Sequence, residues 1–354
     1  MKIIAIREKF DHISRHSGYD TIYRYLSPNT ELESIYCNFK KIYRRGIGRI
    51  MLHGAKFSEG TSFYNAQSFE SESNLFFRTI FNKPDVIHYS HGEPYFGLGS
   101  KFRNRLSPKI VLTNHQPVTW WKSQDKFTKK FSKADSIIVL SEYDRDYFSS
   151  VCNTEVVYIP HGVDIDFYQP SDLKVSTEKF KVLFSGRYLR DVDSLASLIK
   201  RVDTKLPIEF NIIYFEKSKT DNKNLLEIAD NPNVKWLSNL SEEQYLAAYQ
   251  EADCCLIPLE DSTANNAILE AISCGLPIIS TDVPAINSYL KDDFSILGRK
   301  ANVDDLYDAL MHLFENRNVG TEMGKRAREK AVSTFDWNIV AKQTHDLFNS
   351  VIIK

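Results

Sequence analysis

Residues Asp253 to Asp282 read DCCLIPLEDSTANNAILEAISCGLPIISTD, and their pattern decides the fold. An apolar run, Cys254 to Pro258, leads through a polar loop into a helix-like stretch, and Cys274-Gly275 then turns the chain into a second run, Pro277 to Ser280. Strand, loop, helix, strand is the repeating unit of a parallel α/β sheet. Ser262-Thr263-Ala264-Asn265-Asn266 enter the helix with small or capping side chains, which leaves its first amides for a phosphate or for sugar hydroxyls. Glu270 follows four residues after Asn266 on the same helix face, where a carboxylate accepts two hydrogen bonds from a ribose diol. Read alone, Glu270 fits an ordinary surface helix equally well.

Working outward, the same alternation covers the chain. Apolar runs at Lys2 to Ile6, Val86 to Ser90, Ile110 to Thr113, Ser136 to Leu140 and Val156 to Ile159 form one series. Lys181 to Ser185, Phe210 to Tyr214, Val234 to Leu237, Cys254 to Pro258 and Pro277 to Ser280 form another. With 354 residues the chain exceeds the size at which single cores usually split, roughly 250 to 300 residues, so two domains are expected. The aperiodic stretch Asp164 to Glu178 reads as the linker, giving domains 1–164 and 165–336 and a final amphipathic helix, 337–354, that packs back on the first. Ser141 to Asp144 and Ser241 to Gln244 read as capping boxes.

Net charge is −1, but residues 1–170 hold 23 Lys and Arg against 18 Asp and Glu, and the remainder 22 against 28. The basic clusters of the front half, Lys40 to Arg45 with Arg49, Lys101 to Lys109 and Lys122 to Lys133, stand beside Phe39, Tyr43, Trp120 and Trp121. They suit an anionic membrane surface, and equally a solvated face. No groove-reading motif accompanies them, so nucleic acid is not an expected partner. No apolar segment reaches the length of a membrane span and no signal-like start is present, so the expected location is the cytoplasm, with peripheral contact at the inner face of the membrane. The five cysteines, Cys37, Cys152, Cys254, Cys255 and Cys274, lack the paired spacing of a zinc site and read as buried or idle thiols. His88 and His91 have metal-like spacing without a third ligand, and Asp164-x-Asp166 and Asp191-x-Asp193 read as structural, so no essential metal is expected. No Gly-x-Gly-x-x-Gly follows the first strand, which disfavours a nicotinamide enzyme.

The run ILEAISCGLPIISTDV, residues 268–283, resembles the nucleotide-binding helix and following strand of the family 4 retaining glycosyltransferases. Further pieces stand in family order: Pro84 to His88, Leu112 to His115, Val139 to Glu142, Ile159 to Asp164, Phe184 to Arg187 and Asn233 to Leu237. The resemblance implies a GT-B fold, two Rossmann-like parallel-sheet domains facing across a cleft, the front one for the acceptor and the rear one for a nucleotide sugar. It implies that Arg187, released by Gly186, binds the donor diphosphate and meets the charge of the leaving group. The lysine that usually assists is missing, and Arg190 stands in its place. His115 is implied close to the transferred sugar or the acceptor, donating a hydrogen bond or orienting it. Gly18, in the loop after the first strand, is implied near donor phosphates or acceptor, though a plain helix start fits it as well. Trp236 and Leu237 are expected at the base. One departure concerns the family's paired glutamates, because eight residues before Glu270 stands Ser262; Glu260, Asp261, or the Thr263 to Asn266 segment then has to hold the sugar.

The expected activity is transfer of a sugar from a UDP- or GDP-sugar to a saccharide or lipid-linked acceptor, with retention, as in surface polysaccharide or glycolipid synthesis. Two alternatives stay open: a sugar-nucleotide epimerase of the same two-lobed fold, and a non-catalytic sugar-nucleotide binding protein.

Overall fold

A computed structural model describes residues 1–8, 16–36, 47–171, 178–214 and 222–354, with no side-chain description for 47–49 and 125–127. The basic run Lys40 to Arg45 with Phe39 and Tyr43, the Arg49 side chain, Cys37, and part of the expected linker, 172–177, lie outside these described positions.

The chain forms two compact units, Met1–His161 with Trp337–Lys354, and Gly162–Asp336. The front unit carries β1 (Lys2–Arg7), β2 (Glu31–Tyr36), β3 (Val86–Tyr89), β4 (Lys109–Asn114), β5 (Ser136–Val139) and β6 (Glu155–Tyr158) in the order β2-β1-β3-β4-β5-β6. Every pairing is parallel, from Ile3 opposite Val86 to Ser136 opposite Glu155. The rear unit carries β7 (Phe180–Ser185), β8 (Ile208–Ile213), β9 (Val234–Leu237), β10 (Cys254–Ile257), β11 (Ile278–Thr281) and β12 (Ser295–Gly298), again all parallel, in the order β12-β11-β10-β7-β8-β9. Helices cover the faces, and the central strands are buried along their length, as β3, β5, β10 and β11 show.

Two edge strands, β2 and β12, fall outside the expected runs. In β2 the sequence ELESIY mixes charged and polar residues with Leu32, Ile35 and Tyr36 and buries only Ile35, and β12 has only Ile296 and Leu297 as apolar pair. An edge strand needs no continuous apolar run, so hydrophobicity marks some edges, such as β6 and β9, and misses these two.

The passage between units falls at His161/Gly162, three residues ahead of the expected boundary. Most of the described part of the expected linker is packed rear-unit structure: the Asp164 carboxylate accepts from the Phe167 amide at 3.1 Å, and Tyr168 is fully buried. Arg328 and Ser273 both donate to the Tyr168 carbonyl, which ties the segment down. The last helix, Trp337–Ile353, belongs to the front unit, with Trp337 edge-on to Tyr19 and Phe348 edge-on to His88. Ser241 and Gln244 form a complete capping box, whereas Ser141 accepts from the Asp144 amide at 3.0 Å without a returning bond, the aspartate being one methylene shorter than the glutamate of the motif.

Candidate active site

In open parallel sheets the crevice for ligands opens at the carboxyl ends of strands, where the strand order reverses. That point lies between β1 and β3 in the front unit and between β7 and β10 in the rear unit.

In the rear unit the chain leaves β7 at Gly186, whose φ of +96° favours glycine. A Cβ there would stand 2.5 Å from Arg190 Nη2, so the bare backbone also makes room for the guanidinium. Arg190 donates Nε to Ser185 O (3.1 Å), Nη1 to Tyr188 O (3.1 Å) and Nη2 to Asn265 Oδ1 (3.0 Å). The same Asn265 oxygen accepts from the Ile268 amide at 3.3 Å and caps the helix Asn266–Ser273. Burial lowers the pKa of Arg190, yet a guanidinium stays charged. Its cation therefore sits at the positive end of a helix dipole, where the field favours an anion. The expected role of Arg190 as a stand-in lysine is thereby narrowed: three of its donors are engaged by protein oxygens, and it fastens the loop after β7 to the helix cap. Arg187, three residues earlier, is exposed, with its guanidinium 5.8 Å from the centre of the Tyr214 ring.

Glu270 is buried, and its Oε2 accepts from Tyr245 and Tyr249 hydroxyls, both at 2.9 Å. Tyr245 OH also lies 3.0 Å from Ser185 Oγ, so β7, the helix Glu242–Glu251 and the helix Asn266–Ser273 share one hydrogen-bonded network. Burial and the nearby carboxylate raise both tyrosine pKa values, which keeps the hydroxyls as donors. A bidentate grip on a ribose is narrowed accordingly, because one oxygen already holds two protein donors. The tyrosines were not singled out from the sequence, although their i, i+4 spacing places both on one helix face.

Ser262, Thr263 and Asn265 are buried, Ala264 and Asn266 half-buried. Thr263 Oγ1 has no hydrogen bond to any described residue, which leaves a buried hydroxyl just ahead of the helix. Asp261 accepts from the Ser262 amide at 2.8 Å, and Glu260 is exposed. Trp236 and Leu237 end β9, the edge strand two places from β7. The indole of Trp236 donates to Ala229 O at 3.2 Å, and the Leu237 carbonyl accepts from the Tyr214 amide. Of the two Asp pairs, Asp191 caps the helix Val192–Arg201 and Asp193 accepts from Asn224.

In the front unit, Gly18 has φ +83° and precedes the short 3-10 helix Tyr19–Arg24. Tyr19 is buried, its ring centre 4.9 Å from that of His115, which brings the Gly18 turn and His115 into one cluster. His115 Nε2 lies 2.8 Å from the Ser90 carbonyl. A carbonyl only accepts, so Nε2 carries the proton and Nδ1 is the acceptor nitrogen. The expectation that His115 donates to a sugar hydroxyl is corrected on this point: its donor is committed to Ser90, and the ring can accept instead. His91 stacks on it with centres 4.0 Å apart, and burial together with neighbouring imidazoles holds both neutral, His91 down to about 3. His88 is buried between Tyr23 OH (2.8 Å) and Thr113 Oγ1 (2.9 Å), a core role. Among the described residues no three His, Cys, Asp or Glu gather as a metal-holding group, and Cys152, Cys254, Cys255 and Cys274 are buried thiols.

A model of the glycosyltransferase family 4 domain matches residues 59–167, and one of the glycosyl transferases group 1 domain matches 179–316, together about seven-tenths of the chain. Among curated relatives, an MMP alpha-(1->4)-mannosyltransferase of Mycolicibacterium hassiacum is 22% identical over 76% of this chain and 71% of its own. A phosphatidyl-myo-inositol mannosyltransferase of Mycobacterium leprae is 23% identical over 60% and 59%. Among solved structures, a sucrose-phosphate synthase from Thermosynechococcus elongatus aligns with a TM-score of 0.79 at 15% identity, covering 99% of both chains. Anabaena HepE, solved in complex with UDP-glucose, aligns with a TM-score of 0.74 at 12% identity over 99% of this chain and 100% of its own. With both units matched in order and the two parallel sheets in place, the chain belongs to the glycosyltransferases of the GT-B fold.

Proposed function

We propose that the rear unit holds a UDP- or GDP-sugar and that its sugar passes, with retention, to a saccharide or lipid-linked acceptor held by the front unit. The observation that carries this reading is the network at the rear switch point, in which Gly186, Arg190, the Asn265 cap and Glu270 come together around a helix N-terminus. Arg187 lies one residue beyond Gly186 and supplies a second guanidinium for the diphosphate. As the bond from the anomeric carbon to the phosphate oxygen breaks, negative charge grows on the diphosphate, and the arginines with the helix start stabilise it. The acceptor hydroxyl attacks from the same face and its proton passes to the departing phosphate oxygen. On this reading the leaving charge needs no metal. HepE in complex with UDP-glucose supports a nucleotide-sugar donor, and the phosphatidyl-myo-inositol mannosyltransferase relative supports a glycolipid product.

The expected result is a raised melting temperature with at least one UDP- or GDP-sugar, in EDTA as in buffer, since ligand at 100 times its dissociation constant stabilises by about 2.7 kcal/mol. An unmoved transition across both nucleotide series would remove the donor assignment.

The proposal extends to peripheral contact with an anionic bilayer on the cytoplasmic side. No described helix is long and apolar enough to cross a membrane. The front unit exposes Ile50, Leu52 and Phe57 on one helix and Phe77, Ile80 and Phe81 on the next, beside Lys56 and Lys83. Apolar side chains with adjacent cations suit the interface of such a bilayer. Pelleting with phosphatidylglycerol vesicles and not with phosphatidylcholine vesicles is expected; equal recovery in both supernatants contradicts the contact.

A further inference from the structure

The front crevice contains a carboxylate that no assigned role uses. Glu8 follows β1 directly, and His91 and Glu93 follow β3, so the three flank the point where the front sheet reverses its strand order. Together with Gln67, Gln116 and Phe63 they line a hollow of about 310 Å³, at the lower end of small-molecule sites, which run from about 300 to 1,000 Å³. Glu8 is only 8% exposed. Its carboxylate makes no hydrogen bond to any described residue; among the described residues its ion-pair approach is to His91 Nδ1 at 3.9 Å, and that ring is held neutral, while Glu93 nearby repels it. Glu93 differs, because its Oε1 accepts from the His115 and Gln116 amides.

A buried carboxylate without donors is costly to keep, and a ligand bearing hydroxyl groups supplies those donors. The Phe63 ring, 41% exposed, lines the hollow and is stacked on Trp120 with centres 4.9 Å apart and planes 9° apart. A rigid aromatic face beside carboxylate and amide groups complements a pyranose, which has an apolar C–H face and a rim of hydroxyls. No Lys or Arg stands among the described lining residues, so among these a phosphate or carboxylate in the hollow meets two glutamates and no compensating cation.

We infer that this hollow is the subsite for a neutral, polyhydroxylated sugar ring of the acceptor, with Glu8 accepting a ring hydroxyl and Phe63 stacking on the C–H face. The inference rests on the acceptor reading of the front unit and adds its chemistry: the sugar unit seated here carries no phosphate or carboxylate. Glu8 is thus a binding and positioning residue of the acceptor.

The test is saturation-transfer NMR titration of the full chain, without nucleotide, using the methyl pyranosides of glucose, galactose, mannose and N-acetylglucosamine as neutral probes and glucose 6-phosphate as the charged probe. At least one neutral probe is expected to bind, with glucose 6-phosphate at least tenfold weaker. Glu8→Gln should weaken the neutral probe about tenfold, the scale of one hydrogen bond to a charged group, and Phe63→Ala several-fold. Glu8→Gln removes a buried charge and should melt no lower than the parent; should it melt lower, the exposed Phe63→Ala substitution still decides. Neutral probes that give no signal, a signal indifferent to both substitutions, or glucose 6-phosphate bound as tightly as the neutral sugars each overturn the inference. Because no nucleotide is present, sugar binding that persists while nucleotide sugars leave the melting temperature unmoved would separate a wrong donor assignment from a wrong acceptor subsite.

Discussion

Two arginines three residues apart have different work. Arg190 is held by three protein oxygens and fixes the loop after β7 to the cap of the helix Asn266–Ser273, whereas Arg187 is exposed at the end of the same turn. On the proposed reading, replacing Arg187 by alanine removes a cation from the leaving diphosphate while the Arg190–Asn265 bond stays in place. The expected cost is about 2 to 4 kcal/mol of barrier, read mainly as a loss of turnover rather than of fold, in steady-state kinetics alongside an unchanged melting temperature. Turnover equal to the parent would take Arg187 out of the reaction. The placements legible from sequence were those written in local order: a glycine before an arginine after a strand, and a capping asparagine before a helix with Glu270. What could not be read were partners distant in the chain. Tyr245 and Tyr249 reach Glu270 across 25 and 21 residues, and the commitment of His115 to Ser90 spans 25.

At the level of elements, ten of the twelve strands coincide with apolar runs visible in the sequence: the eight interior ones because a strand covered on both faces is largely apolar, and the edges β6 and β9 because their own residues are mostly apolar even though they are only half-buried. The two that escaped, β2 and β12, are sheet edges, and β2 keeps only Ile35 buried. β2 has a functional consequence. It lies on the far side of β1 from β3, and that placement makes the β1–β3 junction a reversal point, with Glu8 at the end of one strand and His91 and Glu93 beyond the other. The front crevice was expected from Gly18 and His115, but the part that Glu8 contributes was hidden along with the strand that makes the reversal. Glu8 carried no signal of its own, being a single acidic residue after an apolar run. Burial and the neighbouring Glu93 carry its pKa up to about 7, a state that only the assembled strand ends produce.

Taken whole, the chain uses one device twice. Each unit is a six-stranded parallel sheet whose order reverses beside its first strand, and each gathers its polar groups at that reversal. The rear reversal is cationic, with Arg187, Arg190 and a helix start; the front one is carboxylate and imidazole, with Glu8, Glu93, His91 and His115. Under the proposed function this contrast divides the ligands by charge, a nucleoside diphosphate to the rear and a neutral sugar to the front, and it lies in the site residues rather than in the net charge of either half, which runs the opposite way. Hydrogen exchange by mass spectrometry, with and without saturating nucleotide sugar, tests this division most directly. The expected result is added protection of backbone amides in residues 185–190 and 262–270, with the segments around Glu8, His91 and His115 unchanged; protection confined to those front segments, with 185–190 and 262–270 exchanging as before, would contradict it.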